Sequence, residues 1–228
     1  MKKICSIILL LSLTMSTLLL SGCGSKSSLT EDQQNMLIYG GILGSRNEDT
    51  FSELDGYYPD VESMLEEYWS VTDTATAKET LDWLVNEGHR IDGNEFLTVL
   101  KKGEENQYED MDDVKKLYDD CNKMLTEIGV SEETLKKVNT IGAWDYDRLV
   151  NVARWSYSAG YITEEEAWSY IQKAREMAQA EFSSWDEYLA SNVYGRSISY
   201  DGDPAELKET GDLLLNGDKS IWKNIAFK

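Results

Sequence analysis

Ala143–Trp168 reads AWDYDRLVNVARWSYSAGYITEEEAW, the densest aromatic segment of the chain. At a helical step of roughly 100° per residue, Trp144, Arg148 and Trp155 fall within about 40° of one another. Leu149, Val152, Ala153, Ala159 and Gly160 form a second sector of mostly small residues, and Tyr146, Val150 and Tyr157 a third. Only Asp147, Asn151, Arg154 and Ser158 make a continuous polar strip. A helix apolar over most of its circumference has neighbours on several sides, so this one is central. Gly160 fits the position just past a helix end, and Thr163 with Glu166 fits a capping box opening the next helix. The segment therefore predicts a helical hairpin with a short connection. Arg148, between Trp144 and Trp155, is its one anomaly.

Outward from the hairpin, the same logic predicts helices over Thr30–Gly40, Asp60–Trp69, Thr74–Gly88, Glu95–Lys101, Met111–Ile128 and a short piece from Ser131. In the second of these, Val61, Met64, Leu65, Tyr68 and Trp69 share the apolar side. Beyond the hairpin, Ser184 with Glu187 caps a helix running to Arg196, and Ala205–Leu215 is a last helix before an irregular tail containing Trp222. Gly40, Gly41 and Gly44 lack the preceding strand and the spacing of a phosphate loop, and read as small residues at a helix contact. No alternating stretch of useful length suggests a strand. The expected fold is all-α, a single multi-helix globular domain over residues 30–228, organised around the central hairpin.

The N-terminus reads as an address. Lys2 and Lys3 precede an apolar run, Ile7–Leu20, and then Leu20-Ser21-Gly22-Cys23. A basic region, an apolar core and small residues before a cut describe a secretory signal. The Leu-Ser-Gly-Cys tetrapeptide resembles the bacterial lipoprotein lipobox, which implies a signal peptide over 1–22 and lipidation of Cys23. Two or more acyl chains give stable anchoring. Residues 23–29 are rich in Gly, Ser and Lys, a flexible tether. The expected location is the cell membrane or outer membrane, facing away from the cytoplasm. Cys5 leaves with the leader and Cys23 is acylated, so Cys121 alone remains; it reads as a small core residue.

Composition narrows the function classes. Loss of Lys2 and Lys3 with the leader leaves 20 bases against 42 acids, a net charge of −22. Such a surface repels nucleic acid, which is excluded as a partner. Seven tryptophans and 11% aromatic residues nonetheless demand a packed core.

A set of local motifs points to a family. Trp69 with Thr72-Asp73, Gly88-His89-Arg90, Ala143-Trp144-Asp145 with Arg148, Arg154-Trp155 with Gly160-Tyr161-Ile162, Phe182-Ser183-Ser184-Trp185 and Tyr194-Gly195-Arg196 together resemble the bacterial domain of unknown function 1266. The resemblance runs from about Thr30 to about Tyr200. It implies a single helical domain and carries no activity with it.

The candidate polar positions are His89, Arg90, Asp145, Arg148 and Arg196. One reading is an Arg–Asp network holding helices in register, with Asp145 pairing Arg148 and a cation–π contact to the indoles worth about 0.5–2 kcal/mol. The sharper reading is an anion site in which Arg148, Arg196 and His89 line a cleft. His89 is the only histidine and titrates near neutrality, which makes it the one candidate general base. Gly88-His89-Arg90 also reads as an ordinary helix C-terminus, where cations are favoured. No Ser-His-Asp or Cys-His pattern assembles, so no catalytic residue, cofactor or metal is assigned. The acidic runs Asp110–Asp113 and Asp201–Asp203 match no EF-hand loop and read as solvated turns. The expectation is a non-enzymatic, lipid-anchored domain binding an envelope protein or a small anionic ligand. The alternative is an envelope hydrolase using His89 with Arg148 or Arg196.

Overall fold

The computed structural model describes residues 29–56, 58–104 and 111–228. Cys23, the leader and the tether up to Ser28 lie outside the described residues, as does Asp110. Within them the chain is all helical. The elements are α1 (Glu31–Leu37), α2 (Gly41–Arg46), α3 (Val61–Trp69), α4 (Thr74–Asn86), α5 (Arg90–Lys102), α6 (Asp112–Glu127), α7 (Glu132–Lys137), α8 (Gly142–Ser158), α9 (Glu164–Glu181), α10 (Trp185–Tyr200) and α11 (Lys208–Asn216). Short 3₁₀ turns occupy Ile38–Gly40 and Pro204–Leu207. They form one domain around a single main core.

Every residue of α8 from Gly142 to Ser156 is buried. The helix packs against α2, α3, α4, α5, α9 and α10, the environment that its nearly all-round apolar surface demands. Its partner in the hairpin, α9, follows after Gly160, whose φ of +74° ends α8 in the left-handed conformation. The Thr163–Glu166 box then starts α9: Thr163 Oγ1 accepts from Glu166 N at 3.2 Å, and the Glu166 carboxylate accepts from Thr163 N at 2.9 Å. On the other side α10 approaches closely because Gly195 has no side chain. A Cβ there would lie 2.4 Å from Trp144 Cβ.

The polar strip of α8 is also buried. Asp147, Asn151 and Arg154 are each fully inaccessible. Asp147 accepts from the α2 backbone at Ile42 N (3.0 Å) and Leu43 N (3.1 Å). Asn151 donates to Gly40 O at 2.9 Å. Arg154 pairs with Asp49 at 2.7 Å and donates to the carbonyls of Thr50 and Leu54. The strip satisfies the backbone of the N-terminal segment, where α2 and an irregular loop leave peptide groups unpaired. Gly40 and Gly44 are helix-contact glycines, since added Cβ atoms would strike Val150 at 2.7 Å and Phe51 at 2.5 Å.

Three expectations are corrected. The short helix expected at Glu95–Lys101 begins five residues earlier, at Arg90, because Asp145 receives its first backbone N–H groups from across the fold. His89 is therefore the N-cap of α5 rather than the end of α4, and Arg90 is its first residue. Tyr68, expected on the buried side of α3, is 67% exposed. The tail is irregular, as expected, and it is packed: Trp222 stacks on Trp185 at 4.5 Å and donates to Ile38 O, while Phe227 O accepts from Gln179 and Tyr39.

Candidate functional site

Asp145 is the hub of the first polar cluster. Its carboxylate is fully buried. It accepts from His89 N (3.0 Å), Arg90 N (2.9 Å), Arg90 Nη1 (3.3 Å) and Arg148 Nη2 (2.5 Å). A carboxylate at the start of α5 also faces the positive end of that helix dipole. Gly88 makes the approach possible, with φ of +62° and a would-be Cβ 2.2 Å from Asp145 Oδ2. Arg90 turns back to donate to Leu84 O (2.8 Å) and Val85 O (2.6 Å). It thus serves the C-terminus of α4 while starting α5. Arg90 and Asp145 lie behind the surface.

Arg148 faces outward from this hub. Its guanidinium lies 4.3 Å from the Trp144 ring and 5.7 Å from the Trp69 ring. The second indole is therefore Trp69 of α3 and not Trp155, which is buried in the core 6.5 Å from Trp69. Arg148 Nε donates to Trp144 O. Its Nη2 also lies 2.9 Å from His89 Nδ1. A guanidinium can only donate, so Nδ1 is the acceptor and the neutral imidazole carries its proton on Nε2. Burial, reinforced by the Arg148 charge and opposed by Asp145, pushes the His89 pKa below its ordinary value. His89 is neutral at pH 7.

His89, Arg148 and Arg196 border one cleft of about 980 Å³, at the upper end of the size range of small-molecule sites. Trp144, Trp155 and Arg148 supply its α8 wall. Trp69 and Met64 come from α3, Trp83 with Thr76, Glu79 and Thr80 from α4, and Leu43 with Arg46 from α2. Tyr58, Tyr68 and Tyr200 stand at the border with 38%, 67% and 69% of their surfaces exposed. The cleft thus has an aromatic body, exposed tyrosines and buried cations.

Arg196 belongs to a second cluster. Its Nη2 pairs with Glu206 Oε2 at 2.5 Å, and its Nη1 donates to Asp203 O at 3.0 Å. Arg46 reaches the same Glu206 oxygen at 3.3 Å. Burial first, and the neighbouring Arg196 second, lower the Arg46 pKa, though an arginine remains charged throughout.

Trp83, Arg46 and the tyrosines were not singled out from sequence. The available signal for Trp83 was its phase, since it shares a sector of α4 with Thr76, Glu79 and Thr80, turned by roughly 110° from the buried Ala77, Leu81 and Leu84. A tryptophan on the polar side of an amphipathic helix has something to cover. Arg46 carries no such mark, because only the tertiary fold brings α2 beside α10.

Other candidates fall away. Cys121 is buried and burial pushes its thiol up to about 12, consistent with an inert core residue. Asp203 Oδ1 caps the 3₁₀ turn by accepting from Ala205 N at 2.9 Å. Among the described residues, no group of three or more His, Cys, Asp or Glu is placed to hold a metal ion, and no helix is long and apolar enough to cross a membrane.

Fold and site together define an all-helical domain whose central buried helix presents a guanidinium to an aromatic cleft. The chain belongs to the family described as protein of unknown function, DUF1266, whose model matches residues 64–227. The match extends through the packed tail, past the Tyr200 limit expected from the motifs, and starts after the segment carrying α1 and α2. Leu43, Arg46 and Tyr58 of the cleft therefore lie outside the matched residues. Neither the curated proteins nor the solved structures hold a significant match to this chain.

Proposed function

We propose that this chain is a lipid-anchored, non-enzymatic binding domain of the cell envelope, and that its cleft takes a small anionic ligand with an apolar or aromatic body. One observation carries the reading. Arg46, Arg148 and Arg196, delivered by three different helices, border a single aromatic cleft in a chain of net charge −20. Cations gathered at one cleft of an otherwise acidic protein focus attraction on that one place. Tryptophan faces supply contact area at low entropic cost, and guanidinium groups give charge-assisted hydrogen bonds to carboxylate or phosphate.

His89 fits a binding role better than a hydrolytic one. Its Nδ1 lone pair is taken by Arg148 and its Nε2 carries the proton, so the ring offers a ligand a donor and no base. A second proton would have to be accepted beside Arg148.

The test is ligand binding read from tryptophan fluorescence and calorimetry, using arylcarboxylates and aryl phosphates. Arg148→Lys keeps the charge and removes the fork and the stacked plane. It is expected to leave the protein folded and to weaken binding about tenfold or more, the equivalent of one charged hydrogen bond. Unchanged affinity in the folded variant would refute the site. Turnover of a metabolite panel that vanished on His89→Ala would instead establish an enzyme.

A further inference from the structure

The two polar clusters at the cleft have the same composition. Arg90 and Arg148 share the carboxylate of Asp145; Arg46 and Arg196 share that of Glu206. In each cluster two guanidinium groups share one directly paired carboxylate, and the next acids, Glu181 near Arg90 and Asp147 near Arg148 and Arg46, act from further away. His89 is neutral and adds no charge to either. The clusters sit on different elements, one on α5 and α8, the other on α2, α10 and the 3₁₀ turn after α10. Trp144 links them. Arg148 stacks on its ring, and α10 packs against its Cβ at Gly195, one residue before Arg196. Leu43, Met64 and Trp69 make the shared lining apolar.

Resting on the anion-binding reading above, we infer that the cleft recognises an organic dianion: two carboxylate or phosphate-type groups joined by an apolar or aromatic spacer. One group pairs with Arg148, where His89 Nε2–H offers a further donor; the other pairs with Arg196 and Arg46. Among the described residues no acceptor takes Arg148 Nη1, which leaves a donor for the first group. The Glu206 side chain is 53% exposed and not fixed by burial, so its carboxylate competes with the ligand's second group for the same two arginines. Glu79, the acid on the cleft wall, is exposed and therefore screened, whereas Arg148 and Arg196 are almost wholly buried.

The experiment titrates the full chain with straight-chain dicarboxylates of increasing length, benzene-1,4-dicarboxylate, and the matching phosphonocarboxylates, each against its monomethyl ester. The expected result is that at least one diacid binds about tenfold tighter than its monoester, the size of one added charged hydrogen bond. The carboxylate and phosphonate arms tell which anion is preferred. Arg196→Leu should bring the diacid down to the monoester's affinity. Glu206→Gln, a change at a half-exposed side chain that spares the fold, should tighten the diacid more than the monoester by removing the competing carboxylate. Equal binding of diacids and monoesters overturns the dianion while leaving the anion site standing. Failure of every anion to bind overturns both. Weaker diacid binding in Glu206→Gln overturns the competing role of that carboxylate.

Discussion

Asp145 shows how much of a helical domain can hang on one carboxylate. Its two oxygens receive two backbone N–H groups at the start of α5 and two guanidinium groups, with no water needed to complete the set. The pair with Arg148 was legible from the spacing of three residues on one helix. Its role in starting α5 was not, because His89 and Arg90 are 55 or more residues away in sequence. Removing the carboxylate leaves Arg90 and Arg148 buried without their shared counter-charge. Asp145→Ala is therefore expected to cost about 3–5 kcal/mol, the range for breaking a buried ion pair. Urea unfolding monitored by circular dichroism checks it. A loss below about 1 kcal/mol would mean that the arginines find other partners.

The element that gathers these contacts is α8. Three of its faces are apolar and were visible in the 3.6-residue periodicity; the fourth, polar, meets the N-terminal segment. Asp147 on that face is buried, and the cost of desolvation pushes its carboxyl up to about 7 despite the N–H groups of Leu43 and Ile42, which favour the charged form. The sign follows directly. The folded chain holds this proton up to about pH 7, the unfolded chain only up to about 4, so between these values folding takes up a proton. Stability from this group is full below about pH 4 and is lost as the pH rises through 7. Asp147→Asn keeps an acceptor for the α2 backbone and does not titrate. The stability of the wild-type chain relative to Asp147→Asn should therefore be greater at pH 5 than at pH 8. Paired urea titrations at the two pH values measure the difference, and His89 and Glu181, common to both proteins, largely drop out. A relative stability that stayed level, or rose with pH, would show that Asp147 is ionised throughout.

At the scale of the molecule, the proposed anchor precedes a domain whose cleft is walled by residues from Leu43 to Tyr200. The N-terminal segment is the part closest in sequence to the proposed anchor at Cys23, and through α2 it contributes Leu43 and Arg46 to the cleft. Cys23→Ala is expected to move the protein from the membrane fraction to the soluble one, since no helix among the described residues can span a bilayer. Fractionation of cells expressing each form reads this directly, and a variant retained in the membrane would disprove the lipid anchor. Because the acidic surface repels anionic headgroups, the proposed acyl chains, and not the domain, would supply the membrane affinity.

Periodicity, capping residues and the spread of tryptophans were enough to determine an all-helical domain around the α8–α9 hairpin, because helix formation and amphipathicity are local properties of neighbours three and four residues apart. The Thr163–Glu166 box, the left-handed Gly160 and the Asp145–Arg148 pair all belong to that local code. The tertiary structure decided the rest. It buried the polar strip of α8 under the N-terminal segment, gave Arg148 the Trp69 indole in place of Trp155, and brought Arg46 beside Arg196 across 150 residues of sequence. These are meetings of distant backbone groups and charges, and a buried charge reveals its partner only when the chain between them has folded.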